Sequence, residues 1–305
     1  MLLLKALNIL FKKGIIMDCD RIKKILIRQT SSFFAYLFLL LRPFRYGLNQ
    51  EKRNEYVVVS MTSYRPRLRV AHMALKSLLY QTFEPDKIIL YIENKDSTFV
   101  DKKLKRIEKY GITIEVRDDM GLGPHKKYYY ATREYPQALV ITVDDDMIYR
   151  RDLVELLVKK HKQFPDAICA KRVHRITLDS SNNIRPYKDW EKECRSIDIP
   201  SFELCATTGA GTLYPSSILP EETYDAENII KYAPSCDDIW LKFIETANGI
   251  KVVRADGNYD LSYIIQYAQN SGLRKKNIGK SGNDDCINVL SKKFNIEWEE
   301  MLRRK

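Results

Sequence analysis

The 305-residue sequence predicts an α/β protein with a mostly parallel central sheet flanked by helices. Apolar, β-branched runs alternate along the chain with stretches whose apolar residues recur at helical spacing, which is the pattern of a doubly wound sheet. The first pair shows both features: Tyr56–Ser60 (YVVVS) predicts a buried strand, and an amphipathic helix follows from about Leu68 to Gln81. The alternation starts near residue 54 and leaves the first 53 residues as an N-terminal helical extension.

Further strands and helices continue this alternation. The expected strands are Lys87–Ile92, Ile112–Val116, Ala138–Val143 and Ala167–Ala170. The expected helices are Val100–Tyr110, His125–Glu134 and Leu153–Phe164, the last with Asp152 as its N-cap. In such sheets ligands bind beyond the carboxyl ends of the strands, so the residues that follow each strand are the first candidates for a site. We expect one domain over residues 54–305.

The basic charge of the sequence is concentrated in the extension. The whole chain carries 51 Lys and Arg against 40 Asp and Glu, a net charge of +11. Residues 1–53 hold 11 basic and 3 acidic residues, a net +8, which leaves +3 for residues 54–305. A protein that binds nucleic acid or another polyanion needs basic charge on its folded body. The distribution therefore disfavours that class, and we expect no nucleic-acid partner.

An apolar segment within the extension offers another role for this charge. Residues 32–41 (SFFAYLFLLL) are apolar, with Arg28 before them and Arg42 and Arg45 after them. They are too few to span a bilayer, which takes about 20 residues, and the cleavage pattern of a signal peptide is missing. The segment is either a helix that lies on an anionic membrane surface, which we favour, or a helix packed on its own domain or on a second subunit.

The six cysteines indicate the compartment. They form no C-x-x-C pair, and in a chain of this length they are expected as reduced thiols, not as a disulfide framework or a zinc site. Together with the apolar segment, they predict a cytoplasmic protein associated with the inner face of the cell membrane.

Three consecutive aspartates, Asp144, Asp145 and Asp146, directly follow the expected strand Ala138–Val143. In extended geometry Asp144 and Asp146 share one side of the strand, and Asp145 points to the other. Two carboxylates on one side repel each other unless a cation lies between them, and hard divalent ions prefer oxygen ligands. We therefore predict Mn²⁺ or Mg²⁺ bound by Asp146 and Asp144, with an acidic loop or helix cap as the plainer alternative.

Three parts of the sequence resemble, in order, the GT-A nucleotide-sugar glycosyltransferases, family 2-like enzymes of bacterial surface-polysaccharide synthesis. The opening VVVSMTSYRPRL…LKSLLYQTFEPDKIILYI is similar to the first strand, helix and second strand of that family, and ITVDDDMIY to its Asp-x-Asp motif. TTGAGTLYPSSIL, followed by CDDIWLKF, is similar to its acceptor-side glycine loop and acidic motif. The resemblance spans about residues 55–265. It implies a nucleotide-sugar half over about 54–150 and an acceptor half over about 151–305.

The resemblance also implies roles for residues at matching positions. Asp144 would contact the ribose or support the metal shell, and Asp146 would bind the metal directly. Glu93 would contact the base or ribose, and the two lysines of the loop after the third strand would neutralise the diphosphate. The donor-side candidates, apart from the two metal ligands, are Thr62, Tyr64, Arg65, Glu93, Lys126, Lys127 and Asp145.

The acid pair Asp237 and Asp238 begins an expected helix on the acceptor side. An Asp at a helix start is ordinarily an N-cap, but the resemblance implies that one of this pair is a general base. A sugar hydroxyl is a weak nucleophile, and an inverting transfer needs a carboxylate to accept its proton. Asp238 is the first candidate and Asp237 the second. A retaining enzyme of the same fold would not need this base.

One feature departs from the family pattern. Many members complete the metal site with a late His, whereas the four histidines here, at 72, 125, 161 and 174, all precede the acceptor-side loop. The late ligand would then be another residue, such as Asp256 or Asn270, or be absent. The basic stretch Ser271–Lys280 is either a lid over the diphosphate or a surface loop.

The sequence as a whole predicts a metal-dependent glycosyltransferase that moves a sugar from a nucleotide donor to a glycan or lipid-linked acceptor. A sugar-1-phosphate nucleotidyltransferase has a similar sheet, but the Gly- and Arg-rich opening loop of those enzymes is missing, because SMTSYRPRL has no glycine. A non-enzymatic polyanion-binding protein is the third alternative.

Overall fold

The structure is a computed structural model that describes residues 30–31, 33–255, 263–264 and 282–303. Its strands are β1 (Val57–Thr62), β2 (Lys87–Glu93), β3 (Ile112–Arg117), β4 (Leu139–Asp144), β5 (Met147–Ile148), β6 (Ala167–Ala170), β7 (Val173–Arg175), β8 (Leu204–Ala206), β9 (Thr212–Pro215), β10 (Lys251–Arg254) and β11 (Tyr263–Ile264). Its α-helices are α1 (residues 33–41), α2 (Arg65–Leu78), α3 (Lys102–Ile107), α4 (Lys126–Glu134), α5 (Leu153–Gln163), α6 (Ala226–Tyr232), α7 (Asp237–Ala247), α8 (Gly282–Phe294) and α9 (Trp298–Arg303).

Seven of these strands form the central sheet, in the spatial order β10-β6-β9-β4-β1-β2-β3. Neighbouring strands pair in parallel except at β9, which runs antiparallel between β4 and β6. The predicted α/β class with a mostly parallel sheet is thus confirmed. Parallel pairing brings the carboxyl ends of β1, β2 and β4 to one edge, where Thr62 is in register with Asp144. Because β9 is reversed, the loop that precedes it reaches the same edge.

Apolar side chains fill both faces of the sheet. Successive residues of β1 point to opposite faces, so Val57 and Val59 pack in one apolar cluster and Val58 in another. Helix α7 contributes Trp240 to a further cluster, where its Nε1 donates a hydrogen bond to Thr223 O at 3.2 Å. Trp240 therefore belongs to the core.

Most predicted elements lie close to their expected positions, and the differences have local causes. Helix α2 begins at Arg65, before the expected Leu68, because Pro66 suits the first turn of a helix. The expected helix Val100–Tyr110 is α-helical only over α3 and then tightens into a 3₁₀ turn. Asp152 does not cap α5 with its side chain, because its carboxylate accepts from Arg150 instead.

Residues 42–50 of the predicted extension lie against the body. Arg45 Nε donates to Leu79 O at 2.8 Å, and the Gly47 amide donates to Tyr110 O at 3.3 Å. A Cβ at position 47 would stand 2.5 Å from Leu79 Cα, so only glycine fits there. The domain division near residue 53 stays a prediction, but a truncation at residue 50 would remove contacts made by the folded domain.

Helix α1 buries one large apolar side chain against the body, Leu39, which is 6% exposed and packs with Met73 and Ile148. The large apolar side chains around it are exposed: Phe33, Phe34, Tyr36, Leu37, Phe38, Leu40 and Leu41. Within the part of the chain that the structure describes, no helix combines the length and the apolarity needed to cross a membrane.

Candidate active site

The three consecutive aspartates lie at the carboxyl edge of the central sheet, but not in the extended arrangement that was expected. Strand β4 ends at Asp144, and the chain turns over Asp145 and Asp146. The turn directs Asp144 toward Lys127, whereas Asp145 and Asp146 both reach Arg67. The expected sharing of one side by Asp144 and Asp146 is therefore not observed, because it required the strand to continue through all three residues.

Arg67, at the start of α2, holds two of these aspartates. Its Nε lies 3.1 Å from Asp145 Oδ1, and its Nη2 pairs with Asp146 Oδ2. Asp145 also accepts a hydrogen bond from Ser63 Oγ at 2.5 Å. Burial raises the pKa of Asp145 to about 7 in spite of the guanidinium. Burial opposes the charge of Arg67 too, but the three carboxylates outweigh it and raise the Arg67 pKa.

Lys127, in the first turn of α4, joins the two halves of the site. Its Nζ lies 2.7 Å from Asp144 Oδ1 and 3.0 Å from Asp237 Oδ2. Burial acts against the ammonium, but the carboxylates of Asp144, Asp237 and Asp238 raise the pKa of Lys127 above its ordinary value. One buried ammonium is thus shared between the aspartates at the end of β4 and the acid pair of α7.

The two acids at the start of α7 have different environments. Thr208 Oγ1 lies 2.7 Å from both Asp237 Oδ2 and Asp238 Oδ1, and the Thr208 amide donates to Asp238 Oδ1 at 2.8 Å. Burial, together with the neighbouring Asp237 carboxylate, raises the pKa of Asp238 to about 6. Burial also acts on Asp237, but Lys127 outweighs it, so the pKa of Asp237 is lowered. The two acids therefore differ in pKa, and that of Asp237 is the lower.

The glycine loop before β9 lies directly on Asp144. A Cβ at Gly209 would stand 1.8 Å from Asp144 Oδ2, so position 209 has no room for a side chain. Tyr149 ties the two segments together, because its hydroxyl lies 2.6 Å from Gly209 O and accepts from the Asp144 amide at 2.7 Å. The loop therefore sets the position of the Asp144 carboxylate.

His125 fastens the start of α4 to the segment that precedes α7. Its ring is fully buried, with Nε2 2.7 Å from Ala233 O and Nδ1 2.8 Å from Tyr128 OH. A carbonyl oxygen only accepts, so Nε2 carries the proton and Nδ1 accepts from the Tyr128 hydroxyl. Burial lowers the pKa of His125 to about 4, which keeps the ring neutral at pH 7. This contact holds Lys127, two residues further on, within reach of Asp237.

Glu93 ends β2 at the same edge and has two lysine partners. Its Oε2 lies 2.7 Å from Lys95 Nζ and 3.5 Å from Lys126 Nζ. Burial lowers the pKa of Lys126 in spite of Glu93. Glu93 Oε1 and Asp96 Oδ2 are buried, and no described residue donates a hydrogen bond to either oxygen. Buried acceptors without a donor are costly, so these oxygens suit the N–H or O–H groups of a ligand.

The other donor-side candidates lie at the end of β1. Thr62 Oγ1 donates to Tyr91 O at 3.0 Å, and Tyr64 is the N-cap residue of α2. Arg65 is exposed, with its guanidinium over the ring of Phe99 at 4.1 Å from the centroid. The structure thus brings Thr62 next to Asp144 and directs Arg65 to Phe99. The candidate late ligands, Asp256 and Asn270, and the basic stretch 271–280 lie outside the described residues.

Several residues of this site were not singled out by the sequence. They are Ser63, Arg67, Tyr149 and Thr208. Arg67 had a signal, because three adjacent carboxylates at the end of a buried strand need cations and the segment after β1 supplies Arg65 and Arg67 at that edge. No pattern in the sequence indicated Thr208, because its contact with the acid pair depends on the reversed direction of β9.

The donor set suits a hard divalent cation that takes few protein ligands. The five carboxyl groups of the two acidic motifs outnumber Arg67 and Lys127, the cations seen in contact with them. Within the described ranges, however, no three His, Cys, Asp or Glu side chains converge on a metal site. Mg²⁺ commonly takes one or two protein carboxylates and fills its shell with water and phosphate oxygens. Asp144 and Asp146 are the two carboxylates expected for such a site, and in this structure each is paired with a cation of the protein.

No protein-family model matches this chain, and no curated protein matches it. Solved structures are similar to it. Residues 1–349 of TarS from S. aureus, in complex with UDP, are 14% identical, with a TM-score of 0.41 and coverage of 66% of this chain and 58% of TarS. The mannosyltransferase PcManGT from Pyrobaculum calidifontis, in complex with GDP-Man and Mn²⁺, is 13% identical, with a TM-score of 0.41 and coverage of 75% and 64%.

A 4-diphosphocytidyl-2C-methyl-D-erythritol synthase is also similar, at 10% identity and a TM-score of 0.44, covering 72% of this chain and 97% of its own. This chain spans less than two thirds of the lengths of the TarS and PcManGT chains. Glycosyltransferases of the expected fold are thus among the similar structures, as is an enzyme of another class. At these identities and TM-scores none of them bears on the activity or the site of this chain.

The contacts of Lys127 Nζ with Asp144 and Asp237 join the two acidic motifs, and we call them the Lys127 bridge. Substitution of Lys127 should cause a large loss of stability. In Lys127→Met the buried carboxylate of Asp237 loses its counter-charge, while Asp144 is partly exposed and keeps some solvation. We expect the free energy of unfolding to fall by about 2–4 kcal/mol at pH 7, measured by urea denaturation. Without its counter-charge, the buried Asp237 carboxyl would have a raised pKa in the folded state, so the deficit should shrink as the pH falls from 8 to 5.

Lys162→Met is the matched control, because Lys162 makes an exposed ion pair with Glu55 at 2.9 Å. Its loss should cost less than about 1 kcal/mol. Equal losses in the two variants, or a Lys127→Met deficit that grows toward acid pH, would contradict the bridge.

Proposed function

We propose that this chain is a glycosyltransferase that moves a sugar from a nucleoside-diphosphate donor to a hydroxyl group of a glycan or lipid-linked acceptor. The observation that carries the proposal is the Lys127 bridge, in which one ammonium contacts Asp144 at the end of β4 and Asp237 beside the candidate base. Sugar transfer needs a leaving diphosphate and an attacking hydroxyl at one carbon atom. The bridge holds the two acidic motifs one side chain apart, as that reaction requires.

The edge formed by β1, β2 and β4 would bind the donor. Glu93 Oε1 and Asp96 Oδ2, which lack a hydrogen-bond donor, suit the polar groups of the base and ribose. Thr62 lies on β1, between β2, which Glu93 ends, and β4, which Asp144 ends. The diphosphate would lie at the aspartate cluster. Mn²⁺ or Mg²⁺, held there by Asp144 and Asp146, would neutralise the charge that develops on the leaving diphosphate.

Asp238 would be the general base. Thr208 holds its Oδ1, and no described residue donates a hydrogen bond to its Oδ2. Oδ2 would take the proton of the acceptor hydroxyl while that oxygen forms its bond to the anomeric carbon. The bond from this carbon to the phosphate oxygen breaks, the nucleoside diphosphate leaves, and the configuration inverts. Asp237 and Lys127 would keep Asp238 in position.

The donor half of the proposal predicts metal-dependent turnover. With a panel of UDP- and GDP-sugars, hydrolysis or transfer should require Mn²⁺ or Mg²⁺ and be abolished by a chelator. Asp146→Asn keeps the size of the side chain and an acceptor for Arg67 but loses the charge. It should lower turnover on the order of 100-fold or more.

Asp198→Asn, at an exposed position, is the control and should behave as the wild type. Full activity in Asp146→Asn, or no binding of any nucleotide sugar by the wild type, would refute the assignment. Pyrophosphate release from a nucleoside triphosphate and a sugar 1-phosphate would instead identify a nucleotidyltransferase.

The proposed role of Asp238 as general base predicts how kcat/KM falls on the acid side of its pH profile. Transfer needs ionised Asp238, so kcat/KM should fall as the pH drops through about 6, where Asp238 takes up a proton. Asp238→Asn should lower transfer by about 10²–10⁴-fold and leave donor affinity, measured by calorimetry, unchanged. Transfer that survives in Asp238→Asn would favour Asp237 or a retaining reaction.

We further propose that α1 lies on an anionic membrane surface and brings the enzyme to a lipid-linked acceptor. Its apolar side chains are exposed around most of the helix, and Arg42 follows them with its guanidinium 4.1 Å from the centroid of the Phe38 ring. Exposed aromatic and aliphatic residues beside basic ones suit the interface of a bilayer that carries negative lipids.

The double substitution Phe33→Ser and Phe34→Ser should weaken binding to liposomes containing phosphatidylglycerol by at least about 10-fold, because each ring contributes about 1.5–3 kcal/mol when buried. Sedimentation with liposomes measures this. Ile199→Ser is the control, because Ile199 is 61% exposed, close to the 62% of Phe33. Unchanged binding in the double variant would mean that α1 packs on protein instead.

A further inference from the structure

The short ribbon of β7 and β8 carries polar side chains beside the candidate base that have no role in the proposed reaction. In an antiparallel pair, residues directly opposite share a face, and so do residues two apart in one strand. His174 lies opposite Cys205, and the same register places Arg172 opposite Thr207, whose amide donates to Arg172 O at 3.0 Å. Cys205 Sγ lies 3.8 Å from the Asp238 carbonyl oxygen, so this face of the ribbon is directed toward the start of α7.

Arg172 is held by the residue next to the one that holds Asp238. Its Nε donates to Thr207 Oγ1 at 2.8 Å, and Thr207 Oγ1 donates to Arg172 O at 3.1 Å. The Thr208 amide donates to Asp238 Oδ1 at 2.8 Å. Through these bonds Arg172 Nε lies within about 10 Å of Asp238 Oδ1. Arg172 and Asp238 are both partly exposed, so one ligand can contact both side chains.

The guanidinium of Arg172 has no negative partner among the described residues. Other arginines of the domain, such as Arg67 and Arg175, each pair with a carboxylate. Arg172 makes one side-chain hydrogen bond, from Nε to Thr207, and no described residue accepts from its two terminal nitrogens. A guanidinium group presents its N–H donors in a planar fork that matches two oxygens of a phosphate. Arg172 is therefore suited to bind an anionic group of a ligand.

Lys192 and His174 add further donors around the ring of Tyr187. Lys192 Nζ lies 3.4 Å from the centroid of this ring and donates to Tyr187 O, and the His174 ring packs against it with its centroid at 5.8 Å. His174 Nδ1 accepts from the Glu193 amide at 3.0 Å, so Nε2 carries the proton. Burial lowers the pKa of His174 to about 3, and the charges of Lys192 and Arg172 lower it further. His174 is thus a neutral donor between two cations.

The acids near Lys192 do not pair with it. Asp284 Oδ1 accepts from the Tyr187 amide at 2.6 Å, and Asp189 is exposed. Burial lowers the pKa of Lys192 to about 8, which these two acids oppose, so the ammonium stays mostly charged at pH 7. Arg172 and Lys192 are thus cations without an ion-pair partner in the part of the chain that the structure describes.

We propose that Arg172, with His174 and Lys192, forms a subsite for a phosphate group of the acceptor, so that the enzyme takes a phosphate-bearing acceptor. The inference rests on the proposed function and on the role of Asp238 in it. The phosphate oxygens would accept from the guanidinium and from His174 Nε2, with the ammonium of Lys192 beside them. A separation of about 10 Å leaves room for one sugar ring between this phosphate and the hydroxyl at Asp238. The donor's diphosphate would lie at the aspartate cluster, which leaves Arg172 for the acceptor.

The first test compares soluble acceptors that carry the same hexose. One is an octyl glycoside, the second is the hexose joined to an octyl chain through a diphosphate, and the third is a methyl phosphodiester of the hexose. With a panel of hexoses and a donor that the enzyme hydrolyses, kcat/KM should be at least about 10-fold higher for a phosphate-bearing acceptor than for the neutral glycoside. Preference for the octyl diphosphate would indicate a lipid linkage, and preference for the phosphodiester a phosphorylated glycan.

The second test uses variants of the subsite. Arg172→Gln should raise the KM of the phosphate-bearing acceptor by about 10- to 100-fold and leave the donor KM and transfer to the neutral glycoside unchanged. Arg172→Lys should recover part of this loss, and Lys192→Met should act in the same direction as Arg172→Gln with a smaller effect. Lys188→Met, which changes an exposed lysine of the same segment, is the control and should behave as the wild type.

Several outcomes would overturn the inference. They are equal use of neutral and phosphate-bearing acceptors, an unchanged acceptor KM in Arg172→Gln, or a raised donor KM in that variant, which would place Arg172 at the donor. If no hexose of the panel is used, calorimetric binding of octyl diphosphate to the protein saturated with UDP and Mn²⁺ decides. Binding that Arg172→Gln weakens by at least about 10-fold supports the subsite, and equal or absent binding refutes it.

The same measurements separate this inference from the proposed function. A wild type that hydrolyses no nucleotide sugar and binds no UDP refutes the proposed function. Donor hydrolysis without any preference for phosphate refutes the Arg172 subsite alone.

Discussion

The ammonium of Lys127 is the contact on which the rest of the site depends. It connects the end of β4 to the start of α7, two elements that are far apart in the chain, and it does so from the first turn of a third element, α4. The buried positive charge of Lys127 and the negative charges of its partners stabilise one another. Buried alone, the lysine would be neutral, and buried alone, Asp237 would be protonated. His125 and the hydrogen bond from Ser60 Oγ to Lys127 O fix the backbone from which this ammonium extends.

The reversed strand β9 gives the site its second wall. In a fully parallel sheet every strand would end at the carboxyl edge, and the loops before the strands would lie at the opposite edge. β9 runs the other way, so the loop that precedes it reaches Asp144 and the acid pair. Gly209 must then come within van der Waals distance of the Asp144 carboxylate, which explains a glycine there better than any need for an unusual backbone angle.

The sequence predicted the parallel elements better than their partners across the site. Strands such as β2 and β6 are continuous apolar runs, and burial on both faces leaves little ambiguity in such a pattern. The contacts that make the site are between residues distant in the chain. The resemblance implies that Lys127 contacts a diphosphate, but its aspartate partners depend on how α4 and α7 pack. The contacts of Arg67 and Thr208 with the aspartates likewise depend on packing between distant elements.

The acid pair Asp237 and Asp238 shows how two identical side chains come to differ in their affinity for a proton. Thr208 Oγ1 has one hydrogen and lies at equal distances from Asp237 and Asp238, so it can donate to one of them only. If both acids are ionised, one of these contacts places two lone pairs against each other. If Asp238 carries a proton, it can donate to Oγ1 while Oγ1 donates to Asp237, and every contact is satisfied. Lys127 determines the direction of these two hydrogen bonds, because its direct contact keeps Asp237 as the terminal acceptor. A proton taken up by the pair therefore resides on Asp238.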